Sequence, residues 1–221
     1  MRVVIAGGHG KIALLLERLL SQRGDSVAGL IRNPDHTADL SEAGAEAIVV
    51  DLEKSSADEL AGHLAGSDAV VFAAGAGAGS GAERKKTLDR DGAILLADAA
   101  EAAGVRRYVM VSAMGADADA PDDAADDPVM VTYLRAKGAA DDDIRRRDAL
   151  DWTIVRPGLL TDDPGTGRVR IAEKTGRDSI PRADVAAVLV AVLDAPQTAG
   201  QTFEVVSGDT AIAEAVTGGH P

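Results

Sequence analysis

The chain has 221 residues, 46% of them hydrophobic but only 2% aromatic, no cysteine, and a formal net charge of −13. That length suits one domain with an aliphatic core, and the missing thiols exclude disulfide and thiolate chemistry. The acidic balance argues against a nucleic acid or an anionic membrane as partner, because both call for basic patches.

An apolar run over residues 3–6 passes through Gly7, Gly8 and Gly10 into a helical pattern over 11–23. Further strand patterns fall at 27–31, 46–51, 69–74, 107–112, 152–156 and 202–206. Helical patterns separate them at 38–43, 57–64, 85–103, 129–147 and 183–193. Such alternation predicts a doubly wound parallel sheet covered on both faces, a three-layer α/β/α Rossmann fold over residues 1–221. Two stretches break the rhythm. Residues 117–127 are acidic and aperiodic, which reads as a solvated or disordered loop or as a mobile lip over a cleft. Residues 159–181 are long for a connection and are expected to form a substrate-side insertion. The run Asp141-Asp142-Asp143-Ile144-Arg145-Arg146-Arg147 offers three i,i+4 acid–base pairs and reads as a solvated helix. His9, His36, His63 and His220 are scattered without ligand spacing, so no metal site is expected. With no signal sequence and no long apolar span in view, a cytoplasmic protein is expected.

Strand, glycine turn and helix, in that order, are the local architecture of a dinucleotide phosphate site. Glycines admit the backbone close to the pyrophosphate, and the helix presents its positive end to the anion. Gly7, Gly8, His9, Gly10, Lys11 and Ile12 form this turn, with His9 itself reading as an exposed loop residue. Cofactor choice is read at the end of the second strand. Arg32 stands there in place of a carboxylate, which favours NADP(H) over NAD(H), because a guanidinium fork suits a 2′-phosphate. Asp51 and Leu52 end the third strand, where the adenine would lie. Ala73, Ala74 and Gly75 end the fourth and leave room for the cofactor.

Tyr133 and Lys137 lie four residues apart on a predicted helix, so phenol and ammonium share one face. A neighbouring cation is expected to lower the tyrosine's pKa, suiting it to pass a proton to or from a carbonyl or alcohol oxygen. Ser112 ends the fifth strand at the carboxyl edge of the sheet, where its hydroxyl could hold the substrate oxygen. Asp184, before the last helical run, reads as a structural residue near a helix N-terminus.

These residues, with Gly7-x-x-Gly10-x-x-Ala13, Thr153-Ile-Val-Arg-Pro157-Gly158 and Ser179-Ile-Pro-Arg-Ala-Asp184, resemble the atypical short-chain dehydrogenase/reductase superfamily. The similarity is to its small NAD(P)-binding branch, which includes NmrA-like and flavin/biliverdin-reductase-like members. The resemblance implies that Ser112, Tyr133 and Lys137 are the catalytic set, that Lys137 also holds the nicotinamide ribose, and that Pro157 and Gly158 line the nicotinamide pocket. It implies an NADP-dependent oxidoreductase acting on a small carbonyl, quinone or flavin-like substrate. Two alternatives stand beside it. One is a non-catalytic NADP(H)-responsive regulator with a protein partner. The other is an epimerase or dehydratase, for whose sugar-nucleotide lobe the chain leaves little room.

Overall fold

The computed structural model describes residues 1–77 and 79–218, so His220 lies outside the described residues. The alternating pattern becomes β1 (Arg2–Ala6), α1 (Lys11–Gln22), β2 (Ser26–Ile31), α2 (Thr37–Glu42), β3 (Glu46–Val49), α3 (Ala57–Leu64) and β4 (Ala69–Phe72). It continues through α4 (Ala82–Arg84), α5 (Asp91–Ala102), β5 (Arg107–Val111), α6 (Pro128–Arg145) and β6 (Asp151–Pro157). The last part holds β7 (Leu159–Thr161), β8 (Arg168–Ala172), β9 (Ser179–Pro181), α7 (Arg182–Leu193), β10 (Gln201–Ser207), β11 (Thr210–Ala211) and α8 (Ile212–Thr217).

A nine-stranded sheet runs in the order β11-β8-β10-β6-β5-β4-β1-β2-β3. From β3 to β10 every neighbouring pair is parallel, and β8 is antiparallel to both its neighbours. This is the predicted Rossmann-type α/β fold. The strand order reverses between β1 and β4, and the crevice beyond their carboxyl ends is where such sheets bind ligands. Strand alternation feeds two cores. Val3 and Ile5 of β1 pack with Leu16 of α1 and Val188 of α7, whereas Val4 packs with Phe72, Leu96 of α5 and Ile144 of α6.

The elements differ from the expected pattern in three places. The helix expected at 85–103 begins as a π-helical segment, Lys85–Arg90, before α5. Within 159–181, β7 pairs with β9 in a small parallel sheet while β8 joins the main sheet. Asp184 pins this stretch by accepting from Thr166 N at 2.9 Å, Thr166 Oγ1 at 3.0 Å and Gly167 N at 2.8 Å, a structural role as expected. The acid–base run on α6 is not simply a solvated face. Asp143 pairs with Arg147 at 2.6 Å, but Asp142 pairs with Arg145 rather than Arg146, and Asp141 is fully buried. Among the described residues no helix is long and apolar enough to cross a membrane, and no cluster of His, Asp and Glu could hold a metal ion.

The acidic loop is tied down at one end. Arg135 of α6 donates to Ala120 O at 2.7 Å, and its guanidinium meets Asp122 at 2.8 Å. Gly138 permits this docking, since a Cβ there would strike the backbone of Asp117 and Ala118. The α6 N-terminus is capped by Asp127, which accepts from Val129 N at 2.8 Å, with Pro128 in the first turn.

Glu17 of α1 is fully buried, and among the described residues neither carboxyl oxygen has a hydrogen-bond partner. Burial raises its pKa from the ordinary 4.5 to about 8, so the folded protein holds it protonated at neutral pH. The unfolded chain releases that proton near 4.5, so the contribution of Glu17 to stability is full below that pH and is lost as the pH rises toward 8. The slope is about 1.4 kcal/mol per pH unit within that window. Glu17→Gln is expected to flatten this slope and to raise the thermal midpoint more at pH 8 than at pH 5. Melting curves of both proteins across that range provide the check, and parallel curves would remove the assignment.

Candidate functional site

The turn after β1 is built from close backbone approaches. Gly7 has φ +81°, and a Cβ there would lie 2.5 Å from Ala74 Cα at the end of β4. A Cβ on Gly8 would lie 2.8 Å from Gly29 Cα in β2. Gly7 N and Gly8 N both donate to Leu30 O, at 3.2 and 3.0 Å, and Gly10 N donates to Gly7 O at 2.8 Å. Gly10 is then the N-cap of α1, without a side chain across the helix end. The helix N-terminus, whose first amides have no intrahelical acceptor, therefore faces the crevice, an arrangement that suits a pyrophosphate.

A cleft of about 1960 Å³ opens above the sheet's carboxyl edge. Ligand pockets usually measure about 300–1,000 Å³, so this one has room for a dinucleotide and a second molecule. The site residues expected from sequence all line it, with the exception of Gly8, which turns inward against β2. His9 is half-buried rather than fully exposed. Its ring stacks on His36 with centroids 3.5 Å apart, and its Nε2 lies 2.7 Å from Asp39 Oδ2. Lys11 Nζ reaches across the cleft to Asp162 at 2.5 Å, and Arg182 meets the same carboxylate at 2.7 Å. Arg32 stands on the rim with a side chain 55% exposed, 3.3 Å from Glu53. Asp51 folds back to accept from Glu53 N at 3.1 Å. The loop residues 123–127 form part of the opposite rim. Gly158 is required by packing, since a Cβ there would strike Asp178 O.

Ser112, Tyr133 and Lys137, the expected catalytic set, lie where β5, β6 and α6 meet. Tyr108 is buried with its hydroxyl donating to Ala93 O at 2.9 Å, which leaves Tyr133 as the tyrosine of the cleft. The expected lowering of the Tyr133 pKa is not found: burial pushes it above its ordinary value, and Asp89 and Asp141 push the same way. Lys137 is 2% exposed and directs its ammonium to Val111 O at 3.1 Å and Asp89 at 3.6 Å, above the Phe72 ring. The cation over the Tyr133 ring is instead Lys85, 5.1 Å from its centroid. Burial lowers the Lys137 pKa, opposed by the carboxylates of Asp89 and Asp141. Ser112 Oγ donates to Asp141 Oδ2 at 2.9 Å. Arg156 donates to that same oxygen through Nε at 2.8 Å, with Nη2 2.7 Å away. Burial raises the Asp141 pKa, countered by Arg156 and the Ser112 hydroxyl.

Sequence reasoning missed Lys85, Asp89 and Asp141. Asp89 is fully buried and accepts from Ala76 N at 3.2 Å, while Lys85 donates to Gly77 O at 3.0 Å. Together they hold the glycine-rich loop after β4 against the site. One signal for Asp141 was present: it continues the four-residue spacing of Tyr133 and Lys137 along α6.

Residues 7–196 match the NAD(P)H-binding family. The chain is 38% identical to YhfK of Bacillus subtilis, described as an uncharacterized sugar epimerase, over 98% of this chain and 99% of that one. Among solved structures it resembles a Bacillus halodurans protein described as an NAD-dependent epimerase/dehydratase, with 39% identity, TM-score 0.88 and 98% of each chain covered. It also resembles the oxidoreductase ylbE of Lactococcus lactis, with 26% identity and TM-score 0.85 over 99% of this chain and 96% of that one. The chain thus belongs to the NAD(P)H-binding family of Rossmann-fold proteins, an oxidoreductase- and epimerase-like group.

Proposed function

We propose that the protein is an NADP(H)-dependent oxidoreductase in which Tyr133 gives a proton to the oxygen of a small carbonyl, quinone or flavin-like substrate. The observation that carries this reading is the position of Tyr133, whose protonated phenol lines the same cleft as the glycine turn. When bound, the nicotinamide supplies hydride to the substrate atom being reduced. The protonated phenol is the donor form that reduction needs, and its raised pKa makes it a weaker acid than a free tyrosine. Lys137, fixed by Val111 O and Asp89, would hold the nicotinamide ribose, and Pro157 and Gly158 would wall the ring. Ser112 has its own proton directed at Asp141, so the lone pairs of Oγ would accept from the hydroxyl that reduction forms, and donation to a substrate carbonyl would require that proton to turn from Asp141. The amides at the α1 N-terminus would take the pyrophosphate, and Arg32 the 2′-phosphate.

A second reading, an NADP(H)-responsive protein that binds a partner and turns nothing over, is favoured by one observation. Ser112 and Lys137 are both bonded within the protein. That reading predicts tight NADPH binding with no consumption on any carbonyl, quinone or flavin. An epimerisation, the activity named for the Bacillus subtilis and Bacillus halodurans relatives, would form product without net NADPH loss.

Tyr133→Phe is expected to lower turnover by about 10²–10⁴-fold while NADPH affinity stays within about twofold. Steady-state kinetics and equilibrium titration together decide it, and equal loss in both would remove Tyr133 from the proton-transfer role. The wild-type protein is expected to bind NADPH more tightly than NADH, and Arg32→Ala to weaken NADPH by about tenfold with NADH little changed. A wild-type preference for NADH would overturn the assignment of Arg32.

A further inference from the structure

Arg32 does not stand free at the adenosine end of the cleft. Its Nη1 lies 3.3 Å from Glu53 Oε2, and Arg84 Nε donates to that same oxygen at 3.1 Å. Thr87 Oγ1 donates to the other carboxylate oxygen at 2.6 Å. Arg32 follows β2, Glu53 follows β3, and Arg84 and Thr87 come from α4 and the π-helical segment, so distant parts of the chain converge here. Arg32, Glu53 and Arg84 all line the cleft. Two guanidinium groups and a hydroxyl around one oxyanion form the donor set of a phosphate seat, and the Glu53 carboxylate fills it.

We propose that Glu53 is an internal stand-in for the 2′-phosphate and sets the balance between NADP and NAD, with Arg84 as the second arm of the phosphate clamp. The inference rests on the reading of Arg32 as the 2′-phosphate ligand. A phosphate monoester carries a charge of about −1.5 to −2 at neutral pH, so it cannot share this seat with a carboxylate. Glu53 must leave when a 2′-phosphate arrives, and it sits at the rim, its side chain 20% exposed, with solvent to turn into. A ribose 2′-hydroxyl brings no charge to displace it, so NAD leaves both guanidinium groups paired with Glu53. The carboxylate therefore opposes only the phosphorylated cofactor. A purely structural ion pair joining the β3 turn to the π-helical segment would affect both cofactors alike.

The test is titration of the full chain with 2′-AMP, 5′-AMP, NADPH and NADH, comparing wild type with Glu53→Gln and Arg84→Gln. Glu53→Gln keeps the size, removes the charge and frees both cations. It is expected to raise the ratio of 2′-AMP to 5′-AMP affinity, and of NADPH to NADH affinity, by about tenfold. Arg84→Gln is expected to weaken NADPH and 2′-AMP by about tenfold while leaving NADH within about twofold. An unchanged ratio in Glu53→Gln, or equal effects of Arg84→Gln on both cofactors, overturns the proposal. Arg32→Ala separates the two claims. If it weakens NADPH selectively while Glu53→Gln leaves the ratio unchanged, the NADP reading stands and this inference fails. If Arg32→Ala changes neither 2′-AMP nor NADPH affinity, the NADP reading itself fails.

Discussion

The site depends on how closely β2 and the segment leaving β4 approach the turn after β1. Gly7 lies against Ala74 and Gly8 against Gly29, at separations where no Cβ fits. This contact places the start of α1 over the crevice between β1 and β4, so the helix amides point at the cleft and not at the sheet. It also explains the small residues at the ends of β2 and β4, which matter here for the space they leave. Gly29 does so twice, because a Cβ there would also lie 2.5 Å from Glu17 Oε1. The buried carboxyl and the glycine cradle therefore share one packing constraint, and a protonated Glu17 avoids setting a negative charge beneath an anion site.

The other half of the cleft is held by buried charge. Tyr133, Lys137 and Asp141 stand four residues apart on α6, and the latter two are bonded to the strands beneath. Lys137 meets Val111 O, and Asp141 meets Ser112 and Arg156. A buried ammonium or carboxylate is costly unless its partners are close and well aimed, so these contacts fix α6 in depth and rotation. The π-helical segment serves the same end. It brings Lys85 and Asp89 to the cleft together, one clamping Gly77 O and the other Ala76 N, with Asp89 also balancing Lys137. Such segments are often found where helix geometry has been adjusted for a site.

The parts legible from sequence are those written in local patterns. The alternation of apolar strands and helices marks the parallel sheet, and the glycines after β1 mark the cradle, because their spacing follows from backbone geometry within one turn. Asp127 and Pro128 mark the start of α6 for the same reason. The buried ionic framework was not legible. Asp141 sits among acids and bases spaced for i,i+4 pairing, and its burial is set by Ser112 and Arg156, which come from two other strands. Asp89 and Lys85 lie in an ordinary-looking helical stretch, and only the π-helical geometry turns both toward the cleft. The direction of the Tyr133 shift was not legible, because spacing shows that a cation shares the helical face but not the burial that raises the phenol's pKa, nor the Asp89 and Asp141 carboxylates that add to it. β7 and β9 are too short to show a period, and their pairing is with each other across an irregular stretch.

The two ends of the cleft treat charge in opposite ways, and the difference follows from exposure. At the end proposed for the nicotinamide Lys137 and Asp141 are sealed beneath the surface, so their pairings are geometric fixtures that a ligand can use but not exchange. At the end proposed for the adenosine and pyrophosphate the cations include Arg32, Arg84, Lys11 and Arg182, and each already faces a carboxylate, Glu53 or Asp162. The pairs of Arg32, Lys11 and Arg182 each keep at least one partner more than half exposed, unlike Lys137 and Asp141, so a phosphate oxygen can exchange for the carboxylate at less cost than at a sealed pair. A chain with a net charge of −13 would otherwise repel a polyanionic cofactor. Pairing its few cleft cations with displaceable acids keeps them oriented in the free protein. It also makes cofactor affinity a difference between two sets of ion pairs, which is the quantity that a single carboxylate on the rim can shift.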